Sequence, residues 1–181
     1  MKLIFIRHGE TNFNKLGIIQ GQEEDTPLNE TGIKQVKDAA NELPRDEIEA
    51  IFSSPLKRAL ETAEIINLFL NKEIKLDGRL KEFSYGSLAG KTWEEIEVIT
   101  GDPEIRHKDK KLQFNYRAYG GESIEDVKTR LNGFLEEIKV GYASETLLIA
   151  THGGIIDTMR LLVMQNVEMQ ALNASLHQFE F

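Results

Sequence analysis

A histidine beside an arginine closes the first apolar run of this chain. Lys2-Leu3-Ile4-Phe5-Ile6 leads into Arg7-His8-Gly9-Glu10. A later run, Thr146-Leu147-Leu148-Ile149-Ala150, leads into Thr151-His152-Gly153-Gly154. Both read as strands that end in a histidine followed by glycine. In open α/β sheets the C-terminal edge of the strands is where ligands bind. A guanidinium beside an imidazole, followed by exposed backbone N–H groups, can hold a phosphate next to a nucleophile. Met alone, either tetrapeptide equally describes a strand running into a polar turn. A further arginine, Arg58, stands just after Ser53-Ser54-Pro55-Leu56-Lys57. It falls in the first turn of an expected helix, whose positive end would also face an anion. Arginine suits that task because its planar fork can bind two phosphate oxygens at once. Arg7 and Arg58 are therefore the candidate clamps.

Elements that alternate between strand and helix must position these groups. The patterning predicts strands at 2–6, 48–52, 73–76, 146–150 and 176–180. It predicts helices at 30–42, 55–69, 92–99, 122–139 and 154–164. This alternation implies an α/β fold, a three-layer sandwich whose mainly parallel central sheet carries helices on both faces. Ser54 is expected to cap the helix that has Pro55 at its first position. Thr92 with Glu95 forms a capping-box pattern, and Asn29 can cap the helix after Pro27-Leu28. Residues 101–121 are the least regular stretch and form a candidate loop or lid over the site.

Four segments taken in order carry a resemblance: Arg7-His8-Gly9-Glu10, Ser53 through Ala63, Leu80-Lys81-Glu82-Phe83-Ser84-Tyr85-Gly86, and Thr151-His152-Gly153-Gly154. Together they resemble the histidine phosphatase superfamily, in the branch that holds the cofactor-dependent phosphoglycerate mutases. The resemblance runs from residue 3 to about residue 160. It implies that His8 is the nucleophile and that His152 faces it, donating to a phosphate oxygen. A nucleophilic imidazole must be neutral at one nitrogen, which nearby arginines favour. The resemblance also places the proton donor for the leaving alkoxide at Glu82, with Glu10 its nearest competitor. It assigns phosphate contacts to Arg7, Arg58 and His152. Asn14, Gln20, Gly21 and Gly153 are supporting contacts, Gln20-Gly21 through backbone N–H groups. Gly120-Gly121-Glu122-Ser123 resembles the segment before the family's long helix. His107 and His177 match no motif.

The activity implied is a metal-independent phosphomonoesterase working through a phosphohistidine on a small phosphorylated metabolite. α-Ribazole phosphate, phosphoserine, phosphosugars and general aryl or alkyl phosphates all belong to the range. The alternatives are a mutase, which returns the phosphoryl group to its substrate, and a catalytically silent member that binds phosphorylated ligands. The about 38 residues from Glu82 to Gly120 make a shorter insertion than family mutases carry, which favours a phosphatase. Arg106, Lys110, Phe114, Tyr116, Arg117 and Tyr119 either read the leaving group or form a solvated lid face. Phe83, Tyr85 and Trp93 either line the pocket or belong to the core.

Composition sets bounds on these readings. The chain has 181 residues, which suit one domain spanning 1–181. Its net charge of −8 argues against nucleic-acid binding and makes any phosphate site a local positive spot. No apolar run approaches the roughly 20 residues needed to span a bilayer. The N-terminus lacks the pattern of a signal peptide, so the expected location is cytoplasmic. There are no cysteines, and the four histidines show no metal-ligand spacing. No cofactor and no metal are expected, and nothing in the pattern speaks to oligomeric state.

Overall fold

The computed structural model describes residues 1–164 and 170–181. Five strands form one sheet: β1 (Lys2–Arg7), β2 (Ile48–Ser53), β3 (Ile74–Leu76), β4 (Thr146–Thr151) and β5 (Leu176–Glu180). Their order is β3-β2-β4-β1-β5. β1, β2, β3 and β4 run parallel, and β5 is antiparallel to β1 at the edge. Each expected strand is present within a residue or two of its predicted bounds.

The helices are α1 (Asn12–Leu16), α2 (Glu30–Ala39), α3 (Lys57–Leu70), α4 (Trp93–Thr100), α5 (Ile105–Lys110), α6 (Ile124–Gly141) and α7 (Gly153–Met164). Strand alternation divides them into two layers. Leu3 and Phe5 of β1 join Leu147 and Ile149 of β4 beneath α4, α5, α6 and α7. Ile4 and Ile6 point the other way, joining Leu148, Ala150 and residues of α2 and α3. β1 and β4 bury side chains on both faces, which is why they read as unbroken apolar runs. In β2 a register shift between Ile48 and Ala50 lets Ile48 and Ile51 share one face while Ala50 and Phe52 take the other.

Two of the predicted caps form. Asn29 Oδ1 accepts from Gly32 N at 2.8 Å, and Thr92 and Glu95 make the reciprocal capping box. The third is corrected. α3 starts at Lys57, two residues later than expected, and its N-cap residue Leu56 makes no side-chain bond. Ser54 Oγ does accept from Leu56 N at 3.3 Å, but Ser54 is completely buried and turned towards His152.

Residues 101–121 carry more regular structure than the expected loop. They hold α5 and a 3₁₀ turn at Tyr116–Tyr119. Ile105 and Tyr116 are both buried in the α6 side of the core and tie the segment down.

Candidate active site

The two histidines meet because their strands are neighbours in register. Arg7 pairs with Thr151 across the β1–β4 ladder, so His8 and His152 leave the sheet side by side. Their rings stand 5.3 Å apart between centroids. β2 lies on the other flank of β4, and its continuation places Ser54 N on Ala150 O at 2.9 Å. The C-terminal ends of three parallel strands thus converge on one cavity of about 260 Å³. Arg7, His8, Arg58, Glu82 and Gly153 all line it, as do Asn14, Gln20 and Gly21.

The hydrogen bonds of His8 assign its protons. Nδ1 lies 2.7 Å from Gly9 O, a carbonyl that can only accept. Nε2 lies 3.2 Å from Arg58 Nε, a nitrogen that can only donate. His8 is therefore the neutral imidazole with its proton on Nδ1 and its lone pair on Nε2. The electrostatics agree. Burial, then the charges of Arg58 and Arg7, hold its pKa well below 6.5.

His152 is fully buried and held low in the same way, by burial and then Arg58 and His8. Its Nε2 meets Ser54 Oγ at 2.8 Å, while its Nδ1 is buried without a partner. Ser54 Oγ also accepts from Leu56 N at 3.3 Å and has one proton to give. When that proton goes to His152 Nε2, the histidine's own proton is on Nδ1.

Arg58 is 1% exposed. Besides His8, it donates from Nη1 to Glu24 O at 3.1 Å and from Nη2 to Gly21 O at 2.7 Å. Each Nη keeps a second N–H. Burial lowers its pKa to about 10, which leaves it a cation at neutral pH. Arg7 donates from Nη1 to Ala171 O at 2.6 Å, and its Nε is buried and unpartnered. Neither guanidinium forms an ion pair with a carboxylate of the described residues. Glu82, Asp157 and Asp25 act on them only from beyond ion-pair distance, and two cations in a largely desolvated site without a contacting counter-ion are costly. An anion entering the cavity removes that cost.

Glu82 is fastened from several directions. Its Oε1 accepts from Phe83 N at 2.9 Å and its Oε2 from Gly154 N at 3.2 Å. Arg130 donates to its carbonyl at 3.0 Å, and Thr151 Oγ1 donates to Leu80 O at 2.7 Å, pinning this loop to the end of β4. Glu10 is engaged elsewhere. Its carboxylate accepts from Asn29 Nδ2 at 2.8 Å and it does not line the cavity.

The supporting residues differ from expectation in detail. The N–H groups after β1 are not free: Gly9 N donates to Thr62 Oγ1 at 3.2 Å and Glu10 N to Gln35 Oε1 at 2.9 Å. Gly9 is required by packing, since a Cβ there would stand 2.5 Å from Gly32 O. Asn14 Oδ1 closes the α1 capping box on Thr11 and also accepts from Asn173 Nδ2 at 3.3 Å. Gly21 presents its carbonyl to Arg58, and Gln20 Oε1 accepts from Thr26 Oγ1 at 2.5 Å. Phe83, Tyr85 and Trp93 line the cavity, with Phe83 also in the core. Of the six basic and aromatic candidates in 106–119, only Arg106 and Lys110 reach the cavity wall. Arg117 instead pairs with Asp126, and Tyr116 is core. His107 and His177 stay outside the cavity, and His177 is bonded to Arg160 and Ser175.

Sequence reasoning missed the Ser54–His152 bond, Asp109, Asp157 and the 170–173 segment. Asp109 sits in an irregular stretch and Asp157 inside a helix, so neither carries a local signal. Burial raises the carboxyl of Asp157 to about 6. Among the described residues no group of three or more His, Asp or Glu is placed to hold a metal ion, and no helix is long and apolar enough to cross a membrane.

Comparison with known proteins agrees with this geometry. The family model described as histidine phosphatase superfamily (branch 1) matches residues 3–181. Phosphoserine phosphatase 1 of Hydrogenobacter thermophilus is 36% identical over 152 residues, covering 84% of this chain and 71% of that protein. The metal-independent phosphoserine phosphatase of Arabidopsis thaliana is 35% identical, covering 97% of this chain and 74% of that one. A mycobacterial glucosyl-3-phosphoglycerate phosphatase solved with VO3 superposes with a TM-score of 0.87 at 29% identity, covering 98% of this chain and 91% of its own. A match this continuous, over a sheet that brings both histidines to one edge, leaves one conclusion: the chain belongs to branch 1 of the histidine phosphatase superfamily.

Proposed function

We propose that the chain hydrolyses phosphomonoesters of small metabolites without a metal, through a phosphohistidine on Nε2 of His8. The observation that carries this is the lone pair of a neutral imidazole that shares its cavity with two guanidiniums, neither of them in contact with a carboxylate counter-ion. The bound phosphate supplies that counter-ion, and its phosphorus is thereby delivered to Nε2.

The chemistry then follows from what each group can give. Arg7 Nε, His152 Nδ1 and the spare N–H groups of Arg58 donate to the phosphoryl oxygens. Nε2 attacks phosphorus and the P–O bond to the alcohol breaks. Glu82 passes its proton to the departing alkoxide. As the N–P bond forms, Arg58 Nε loses its acceptor on the ring and turns its N–H to a phosphoryl oxygen. Gly9 O keeps hold of Nδ1–H and stabilises the cationic ring. Water then attacks phosphorus, Glu82 takes its proton, the N–P bond breaks, and inorganic phosphate leaves. Hydrolysis, as opposed to return of the phosphoryl group to substrate, is supported by the phosphatase names of the relatives.

The test is phosphate release from p-nitrophenyl phosphate in EDTA, for wild type and His8→Ala together. Turnover in the wild type that vanishes in the variant is expected. Quenching into alkaline denaturant should trap an acid-labile phosphoryl group on the wild type alone. Turnover retained by His8→Ala would overturn the nucleophile.

A further inference from the structure

The cavity has a second polar wall that the phosphoryl chemistry does not use. α5 contributes Arg106, Asp109 and Lys110 to it. Their spacing of three and four residues places them on one face of the helix. Asp109 is the unusual member. Its Oδ1 accepts from Tyr116 Oη at 2.6 Å and from Tyr85 Oη at 3.4 Å. Oδ2 has no protein partner, although the residue lines the cavity. Two phenols thus fix the carboxylate through one oxygen and leave the other available to a ligand in the cavity.

A carboxylate is an odd lining for a cavity that must admit a dianion. Burial, followed by the nearby charge of Glu82, already raises its carboxyl to about 6. Asp109 and Glu82 line one cavity, so a ligand that meets Glu82 with its leaving oxygen also faces Asp109. An acceptor there disfavours a bare alkyl chain, because Oδ2 would lose water and gain nothing. It favours a donor carried on the alcohol a carbon or two beyond the phosphoester oxygen. Arg106 and Lys110 on the same wall keep the local field from turning away a charged ester.

We infer that Asp109 is a specificity-determining residue that selects phosphomonoesters whose alcohol bears a hydrogen-bond donor, an ammonium or a hydroxyl, near the ester oxygen. The inference rests on the phosphatase reading above. A donor held by Oδ2 also orients the alcohol, so discrimination appears in kcat/KM.

The experiment uses four esters of similar size on the purified chain. They are O-phosphoethanolamine, ethylene glycol monophosphate, n-propyl phosphate and p-nitrophenyl phosphate. Wild type should favour the ammonium or the hydroxyl ester over the propyl ester by about tenfold or more in kcat/KM. The preferred one of the two says which donor Oδ2 reads. In Asp109→Asn the outward-facing acceptor is replaced by an amide, and the ratio should collapse towards one, whatever happens to the overall rate. Equal kcat/KM for the three alkyl esters on wild type would overturn the inference, and this arm needs no variant. A ratio that survives in Asp109→Asn would overturn it too. No turnover of any ester, p-nitrophenyl phosphate included, would overturn the phosphatase reading itself, and this inference would fall with it.

Discussion

Gly154→Ala tests the proton donor without touching its carboxyl chemistry. Gly154 lies in the first turn of α7, and its N–H bonds Glu82 Oε2 at 3.2 Å. A Cβ at this position would stand 2.5 Å from Glu82 Oε1 and 2.7 Å from Phe83 Cδ2. Carbon atoms ordinarily meet at about 3.5 Å, so the ring is overlapped by about 0.8 Å. Phe83 is 3% exposed and packed in the core, so it has little room to give. The carboxylate is held only by two backbone N–H groups, one of them Gly154's own, so it is the group that shifts. Overpacking of this kind costs about 1–3 kcal/mol, less than the 5–15 kcal/mol of an ordinary domain, and the variant stays folded. A displacement near 1 Å is enough to lose about 10²-fold in a positioned proton transfer. The assay is kcat against leaving-group pKa, from p-nitrophenyl phosphate to an alkyl phosphate. The alkyl ester should slow by about 10²-fold. The nitrophenyl ester, whose leaving group needs little protonation, should slow by less than about tenfold. Glu82→Gln alone and the double variant should then be equally slow on the alkyl ester, because both changes act through one group. Equal losses on the two esters, or a shared rise in KM without a change in kcat, would refute the reasoning.

Two further outcomes follow from the histidines. Ser54→Ala removes the hydroxyl 2.8 Å from His152 Nε2, whose proposed donation there keeps the ring's proton on Nδ1. It should lower kcat about tenfold and weaken inhibition by inorganic phosphate, with Ser54→Thr restoring part of both; unchanged inhibition would show that Ser54 does not set the tautomer. Stability should also fall with acid. The folded chain holds His8 and His152 well below 6.5, so the unfolded chain binds protons that the folded one refuses. Their contribution is complete above about pH 6.5 and declines below it, by up to about 1.4 kcal/mol per pH unit for each histidine. Urea unfolding of His8→Ala between about pH 6 and pH 5 should show a slope shallower by about one proton. An unchanged slope would mean that His8 titrates normally in the folded chain.

The amino-acid sequence alone determined the sheet and which residues stand at its edge. Strands buried on both faces write continuous apolar runs, so β1 and β4 were legible, and their ends marked His8 and His152. Arg58 was legible because it follows a Ser-Pro turn into a helix, and Glu82 because its loop resembles the family's. What depends on contacts between distant segments was not legible. Ser54 reads as a helix cap, since only the β2–β4 register brings it within reach of His152. The N–H groups after His8 read as free, since only the packing of α2 and α3 supplies Gln35 and Thr62 as their acceptors. Asp109 reads as one acid in a basic, irregular stretch until Tyr85 and Tyr116 fold around it. Periodicity and motif are local properties of a chain. The proton on each imidazole, the partner of each guanidinium and the acceptor on the cavity wall are set by neighbours tens of residues away, and only the tertiary structure decides them.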